Sequence, residues 1–236
     1  MEGASNGGTT PEGEECEGGA CSLPPHLLAR RSAKPAEPAT EERSDDVVPA
    51  PCLLLVCGLP ASGKSWLSEH LAPLVEADLF QSDVRRRRMF EVPDGEHYRG
   101  PYDQGMYTPE AKQRVYDSLR ADARNTIESG RRAVVDGSFV QRRWRAPFAE
   151  LGRALGCPFL FVEVVCDEET VRRRIEARLR ERDQPSDADW NVYLKLKEQR
   201  EPFDDVEPLQ HVEVVSGTDM HEVVLTLGAK LRAQLA

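Results

Sequence analysis

The stretch "PCLLLVCGLPASGKSW", residues 51–66, restricts the fold of this 236-residue chain more than any other. Cys52 to Cys57 form an apolar run suited to a strand buried on both faces. Two glycines, a lysine and a serine follow it, and residues 58–65 fit G-x-x-x-x-G-K-[ST] at every specified position. A loop of this kind curls until successive N–H groups face inward, and side chains at the glycine positions would obstruct the curl. The helix starting near Gly63 adds the partial positive charge of its N-terminus. Gly58, Leu59, Pro60, Ala61, Ser62, Gly63, Lys64 and Ser65 are therefore expected to cradle the phosphates of ATP. Lys64 would reach the β- and γ-phosphates, and the Ser65 hydroxyl would hold Mg²⁺.

Short apolar runs recur downstream: "ADLF" (77–80), "RAVV" (132–135), "PFLFVEVV" (158–165) and "HVEVV" (211–215). Helical patterns separate them over 64–74, 83–90, 109–129, 142–156, 168–181, 188–199 and 220–234. Such alternation predicts an α/β fold, with one three-layer domain over 51–236 and a parallel sheet between helices. Thr108 suits an N-cap, Pro109 a first helical turn and Gly130 a left-handed stop.

Residues 1–50 have a different texture. They are rich in Gly, Pro, Glu and Ser without apolar periodicity, which reads as a disordered acidic leader. The leader holds ten acids against four bases, within a chain of net charge −10. "HLLARR" (26–31) reads as a transient helical turn, with a docking peptide for a protein partner as the less favoured alternative. A mildly acidic remainder does not suit a general polyanion binder, which needs clustered Lys and Arg. No run approaches the ~18 apolar residues of a membrane span, and the N-terminus lacks an apolar signal core. The expectation is a cytoplasmic chain with no membrane association. Cys16, Cys21, Cys52, Cys57, Cys157 and Cys166 form no CxxC pair. The last four lie in or beside apolar runs, so free buried thiols are expected rather than a disulfide framework or zinc site.

A phosphate loop alone does not define a reaction, and other residues narrow it. The chain has no N-K-x-D segment of the kind that reads guanine in switch proteins. Asp83, in "QSDVRRRRM", ends the second apolar run, where ligands gather in open α/β sheets. A carboxylate there can accept a proton from a substrate hydroxyl. Arg86, three residues on, would hold an anionic substrate or steady that carboxylate, whereas Arg85, Arg87 and Arg88 read as a solvated face. Asp136, in "AVVDGS", stands at the tip of a strand where Mg²⁺ is held through water. Arg174 and Arg178 share a helix face one turn apart, and the polar break at 182–186 suits a hinged lid that delivers them to the transferring phosphoryl group. Ser186 with Asp189 fits a capping box for the next helix. Trp144, in "QRRWR", is expected in the core.

Taken together, "GLPASGKS", "SDVRRRRM", "YTPEAKQRVYDSL", "VVDGSF", "PFLFVEVVCDEETVRRRIEAR" and "SDADWNVYLKLKEQREPF" resemble a bacterial family of small P-loop kinases. Its members occur alone or fused behind an aminoglycoside-phosphotransferase-like domain. The chain is also similar, more distantly, to the kinase domain of polynucleotide 5′-hydroxyl kinases. The resemblance covers about residues 52–216. It implies a P-loop kinase fold with a five-stranded parallel sheet in the order 2-3-1-4-5, flanked by helices. By position it makes Asp83 the general base, Arg86 a substrate contact, and Arg174 and Arg178 the lid arginines beside Lys64 and Ser65. Where the family often has Asp-Ala-Thr, this chain has Asp136-Gly137-Ser138, which keeps a hydroxyl. The favoured expectation is ATP-dependent phosphoryl transfer to a hydroxyl of a small molecule. A nucleic-acid acceptor is the alternative, with Arg85–Arg88 and 141–145 as its only basic segments. An ATP-binding module that transfers nothing, its leader recruiting a partner, is the third reading.

Overall fold

A computed structural model describes residues 47–93, 104–178 and 188–236. Five strands form one all-parallel sheet: β1 Cys52–Cys57, β2 Ala77–Gln81, β3 Arg132–Asp136, β4 Phe159–Val165 and β5 His211–Val215. Their order is β2-β3-β1-β4-β5, as the resemblance implies. The described helices are α1 Lys64–Leu74, α2 Ser82–Met89, α3 Pro109–Glu128, α4 Arg142–Leu155, α5 Glu168–Arg178, α6 Trp190–Glu198 and α7 Met220–Ala233. Two short 3₁₀ turns, Gly105–Tyr107 and Pro208–Gln210, have no apolar period that would announce them.

Because a parallel strand is covered on both faces, its side chains feed two cores in alternation. Leu54 and Val56 of β1 join Leu160, Val162 and Val214 under α1 and α7. Leu53, Leu55 and Cys57 join Phe159 and Phe161 under α3 and α4. The second core is aromatic: Tyr116, Phe139, Trp144 and Phe148 meet there, so Trp144 is a core residue. Thr108 caps α3 by accepting from the Ala111 N–H at 3.2 Å, with Pro109 in the first turn. Cys52, Cys57 and Cys157 are buried free thiols, and burial pushes the Cys52 thiol up to about 12. Cys166 is free and half-buried, while Cys16 and Cys21 lie outside the described residues. No described helix is long and apolar enough to cross a membrane.

The packed body begins earlier than the composition implies. Val47 and Val48, placed in the leader by their acidic neighbours, are buried in the α1/α7 core. The Val48 carbonyl accepts from Arg132 Nε at 3.0 Å and Nη2 at 2.8 Å, and Arg232 donates to the Val47 carbonyl. The rest of the leader, including "HLLARR", lies outside the described residues. Burying a valine side chain contributes ~1.5–3 kcal/mol. A chain beginning at Pro51 is therefore expected to be ~2–5 kcal/mol less stable in urea titration than one beginning at Glu41. Equal midpoints would show that the two valines add nothing.

Candidate active site

All five strands point their C-terminal ends at one edge of the sheet, and the loops there hold nearly every residue singled out above. The loop 58–63 bridges β1 and α1. Gly58 has φ +145°, and a Cβ there would lie 2.7 Å from the Val164 carbonyl oxygen. Gly63 has φ +105°, and a Cβ there would lie 2.9 Å from Ser216 Oγ. Between them Ala61 also takes a positive φ, +60°, a left-handed conformation costing ~1–2 kcal/mol for a residue with a Cβ.

A loop that turns its amides inward must turn carbonyls outward, and buried carbonyls need donors. Arg174 supplies them. Its Nη1 lies 3.1 Å from both the Ala61 and Ser62 oxygens, 3.0 Å from Ser216 Oγ and 3.6 Å from Cys166 Sγ. One guanidinium thus ties α5 and the β5–α7 loop to the back of the curl. That is a different placement from an arginine carried over the site by a mobile lid. Arg178, one turn further along α5, is half-buried, and the break at 182–186 lies outside the described residues.

On the inner side the first turn of α1 has no capping side chain and no acidic residue. Thr108, Asp189 and Asp219 cap α3, α6 and α7, whereas α2 and α4 share the uncapped start of α1, which alone follows the glycine loop. An uncapped first turn leaves backbone N–H groups and positive potential for an anion. Asp189 caps α6 by itself, accepting from the Val192 N–H at 2.9 Å, and Ser186 lies outside the described residues.

Asp136 ends β3 beside β1, its backbone in register with Val56 and Gln81. It is 3% exposed. Ser68 Oγ donates to Oδ2 at 3.4 Å, and Oδ1 has no hydrogen-bond partner among the described residues. Burial raises its pKa, against the lowering effects of the Lys64 charge and the Ser65 hydroxyl. A buried carboxylate with an unsatisfied oxygen, next to a serine hydroxyl, is a donor set that fits a hard cation such as Mg²⁺.

Asp83 lies in the first turn of α2, close enough to Asp136 to disfavour its ionisation. Arg86 donates to Asp83 Oδ1 through Nη1. It is 6% exposed, lies 4.8 Å over the Tyr107 ring, and leaves Nε without a hydrogen-bond partner among the described residues. The remaining arginines of α2 do not form the solvated face expected of them. Arg85 pairs with Asp122 and donates to Ser118, tying α2 to α3. Arg87 is buried and donates to the Pro93 carbonyl at 2.7 Å, so only Arg88 is exposed. The segment 141–145 is not a basic strip either, since Arg142 pairs with Asp204 and Arg145 is wholly buried.

Sequence reasoning passed over Tyr116, Arg145 and Ser216. Tyr116 Oη lies 3.3 Å from Ser138 Oγ and 3.5 Å from the Phe139 nitrogen. Only the apolar period of α3 placed Tyr116 inward, and nothing in that period marks a hydroxyl near a site.

Residues 53–203 match the sequence profile of the AAA_33 family, described as AAA domain, and the chain belongs to that family. The uncharacterized proteins Rv2004c of Mycobacterium tuberculosis H37Rv and Mb2027c of Mycobacterium bovis are each 35% identical over 96 residues. That match is 40% of this chain and 19% of either relative, so the chain aligns with about a fifth of their length. Among solved structures, a candidate kinase from Chloroflexus aurantiacus J-10-fl is similar at TM-score 0.60 and 19% identity, over 77% of this chain and 98% of its own. A gluconokinase from Sinorhizobium meliloti 1021 gives 0.52 and 19%, over 79% and 94%. Kti12 of Chaetomium thermophilum, in complex with ADP-AlF3, gives 0.56 and 14%, over 77% and 99%. The fold is therefore that of the α/β P-loop kinases.

The environment of Asp136 sets a stability test. Its raised pKa means that the folded chain binds this proton more tightly than the unfolded chain does. Stability is then lost as pH rises from the usual aspartate value through the raised one. Asp136→Asn is expected to unfold at higher urea than the native chain at pH 7, with the gap closing as the pH falls. A variant less stable than the native chain at pH 7 would contradict this account of the site.

Proposed function

We propose that the protein is a Mg²⁺·ATP-dependent phosphotransferase whose acceptor is a hydroxyl of a small molecule. The observation that carries the reading is the uncapped first turn of α1 lying beside two carboxylates of different environment, Asp136 and Asp83. Amides of the 58–65 loop and the Lys64 ammonium hold the phosphate chain. Ser65 and Asp136 would hold Mg²⁺, which when bound neutralises charge between the β- and γ-phosphates. Asp83 accepts the proton of the acceptor hydroxyl while the acceptor oxygen bonds to the γ-phosphorus and the bond to the ADP oxygen breaks. Arg86 keeps that carboxylate oriented and offers Nε toward the acceptor. Arg174 keeps the curl in shape, and Arg178 is assigned to the charge of the transferring group.

Support for a small acceptor comes from the gluconokinase among the structural neighbours and from the arginines themselves. A nucleic-acid track needs cations free to meet successive phosphates. Arg85, Arg86, Arg142 and Arg145 are instead engaged with Asp122, Asp83, Asp204 and Asp205. A module that binds ATP without transfer would have no use for Asp83.

Transfer from γ-labelled ATP to a panel of polyols, sugar acids, aminoglycosides and 5′-hydroxyl oligonucleotides tests the acceptor. Labelling of the oligonucleotide alone would overturn the small-molecule reading. Asp83→Asn is expected to lower transfer at least ~100-fold with Mg²⁺·ATP affinity retained. Undiminished transfer removes Asp83 from the chemistry. Lys64→Ala is expected to abolish transfer, and a fully active variant would mean that the phosphates lie elsewhere.

A further inference from the structure

The turn after β3, residues 137–140, is held in an unfavourable shape directly beside the phosphate loop. Phe139 has φ +47°, a conformation that a bulky residue keeps only where its surroundings impose it. Three contacts impose it. Its fully buried ring packs edge-on against Tyr116 and Phe148, each at 5.1 Å between centroids. Its N–H lies 3.5 Å from Tyr116 Oη, and its carbonyl accepts from Arg145 Nη1 at 3.2 Å.

Arg145 is 0% exposed, and the rest of its guanidinium grips the segment after α6. It donates to the Glu201 carbonyl at 3.2 Å, the Pro202 carbonyl at 2.7 Å and the Asp205 carboxylate at 2.6 Å. Its face lies 4.2 Å over the Phe203 ring. A main-chain bond of 2.8 Å from the Glu201 N–H to the Val140 carbonyl fastens the same two segments. Arg200 adds a bidentate pair with Glu163 of β4, at 2.8 and 3.0 Å. The segment 199–206 is thereby strapped across the turn.

The turn in its own right ties the site together. The Gly137 N–H donates to Val56 at 3.1 Å, and the Ser138 carbonyl accepts from the Gly58 N–H at 3.2 Å. Asp136 immediately precedes it, and Ser138 Oγ meets the Tyr116 hydroxyl, which lies in electrostatic range of Arg86 and Asp83. A residue whose only task was to fill the core would not need to aim a charged group at the Phe139 carbonyl.

We infer that Arg145, with Tyr116 on the other side of the turn, is a positioning residue: it holds the Phe139 turn and so fixes Asp136 and Ser138 against the phosphate loop. It acts through the metal-binding side of the site, touching the curl's amides only at Gly58, while α1 and Arg174 hold the rest. The inference rests on the phosphotransferase reading for its activity readout, while its binding readout stands apart.

The test uses the full chain with Arg145→Lys and Tyr116→Phe, each checked for folding by circular dichroism. Calorimetry measures ATP affinity with Mg²⁺ and with chelator, and slow hydrolysis of γ-labelled Mg²⁺·ATP is followed without acceptor. Both variants are expected to lose most of the Mg²⁺-dependent gain in ATP affinity, about 10-fold, with a comparable fall in hydrolysis. Affinity in chelator should stay within about 2-fold, since of the curl's amides the turn bonds only that of Gly58. Tyr116→Phe removes one hydroxyl and no charge, so it carries the test if Arg145→Lys does not fold. An unchanged Mg²⁺ gain in a folded variant overturns the inference, and so does an equal loss with and without Mg²⁺. A native chain that binds Mg²⁺·ATP but neither hydrolyses nor transfers overturns the phosphotransferase reading, and the Mg²⁺ comparison then decides Arg145 alone.

Discussion

A side chain at position 58 would strike the Val164 carbonyl, and much of the site follows from that contact. Val164 lies near the end of β4, which pairs with β1 in parallel, so the two strands deliver their ends to the same edge. The chain leaving β1 has to fold back over its neighbour at close range, which only glycine permits. Once it does, the amides of the next residues converge, and their carbonyls are forced outward into Arg174. The curl is therefore a property of the sheet as much as of its own eight residues. Arg174 is the cost of the geometry, a charged donor placed where outward carbonyls would otherwise be buried without partners.

The same edge concentrates charge that folding alone would avoid. Asp136 is buried with one oxygen unsatisfied among the described residues, and its charge is opposed by burial and by Asp83. Lys64 and Ser65 moderate that opposition without removing it. Ala61 and Phe139 hold left-handed backbone on either side. Each feature is unfavourable for folding alone, so the surroundings must impose it. The aromatic core beneath provides the compensation, since Tyr116, Phe139, Phe148 and Phe161 pack edge to face around the strained turn.

How much of this the sequence shows depends on the range of the interaction. The curl, the five strands and the cap at Thr108 are local, written in glycine spacing, apolar runs and a Thr-Pro pair, and the elements fall within a residue or two of the expected positions, save the end of the 168–181 helix, which lies outside the described residues. Asp83 and Asp136 are legible because strand ends are legible. The arginines are not. Arg85 and Arg87 sit within one run, yet Asp122 and the Pro93 carbonyl engage them, and those partners are visible only when α3 and the chain after α2 are in place. Val47 and Val48 follow two aspartates and look like leader until Arg132 and Arg232 close over their carbonyls. Arg145 is hidden most deeply, its partners lying about sixty residues downstream in a segment without periodicity.

Two arginines that look alike in the sequence therefore separate by the polarity of what they touch. Arg174 donates to the Ala61 and Ser62 carbonyls, so its charge lies against the oxygen ends of those two peptide dipoles. Arg145 donates to carbonyls of a turn and a strap, with its charge paired to Asp205 and still felt at Cys57, the residue before the loop. Arg86 stands between these cases. Its charge is balanced by Asp83, yet its buried Nε has no hydrogen-bond partner among the described residues. Leaving such a donor buried is unfavourable for folding alone, in the same sense as the Asp136 oxygen that lacks a partner among the described residues.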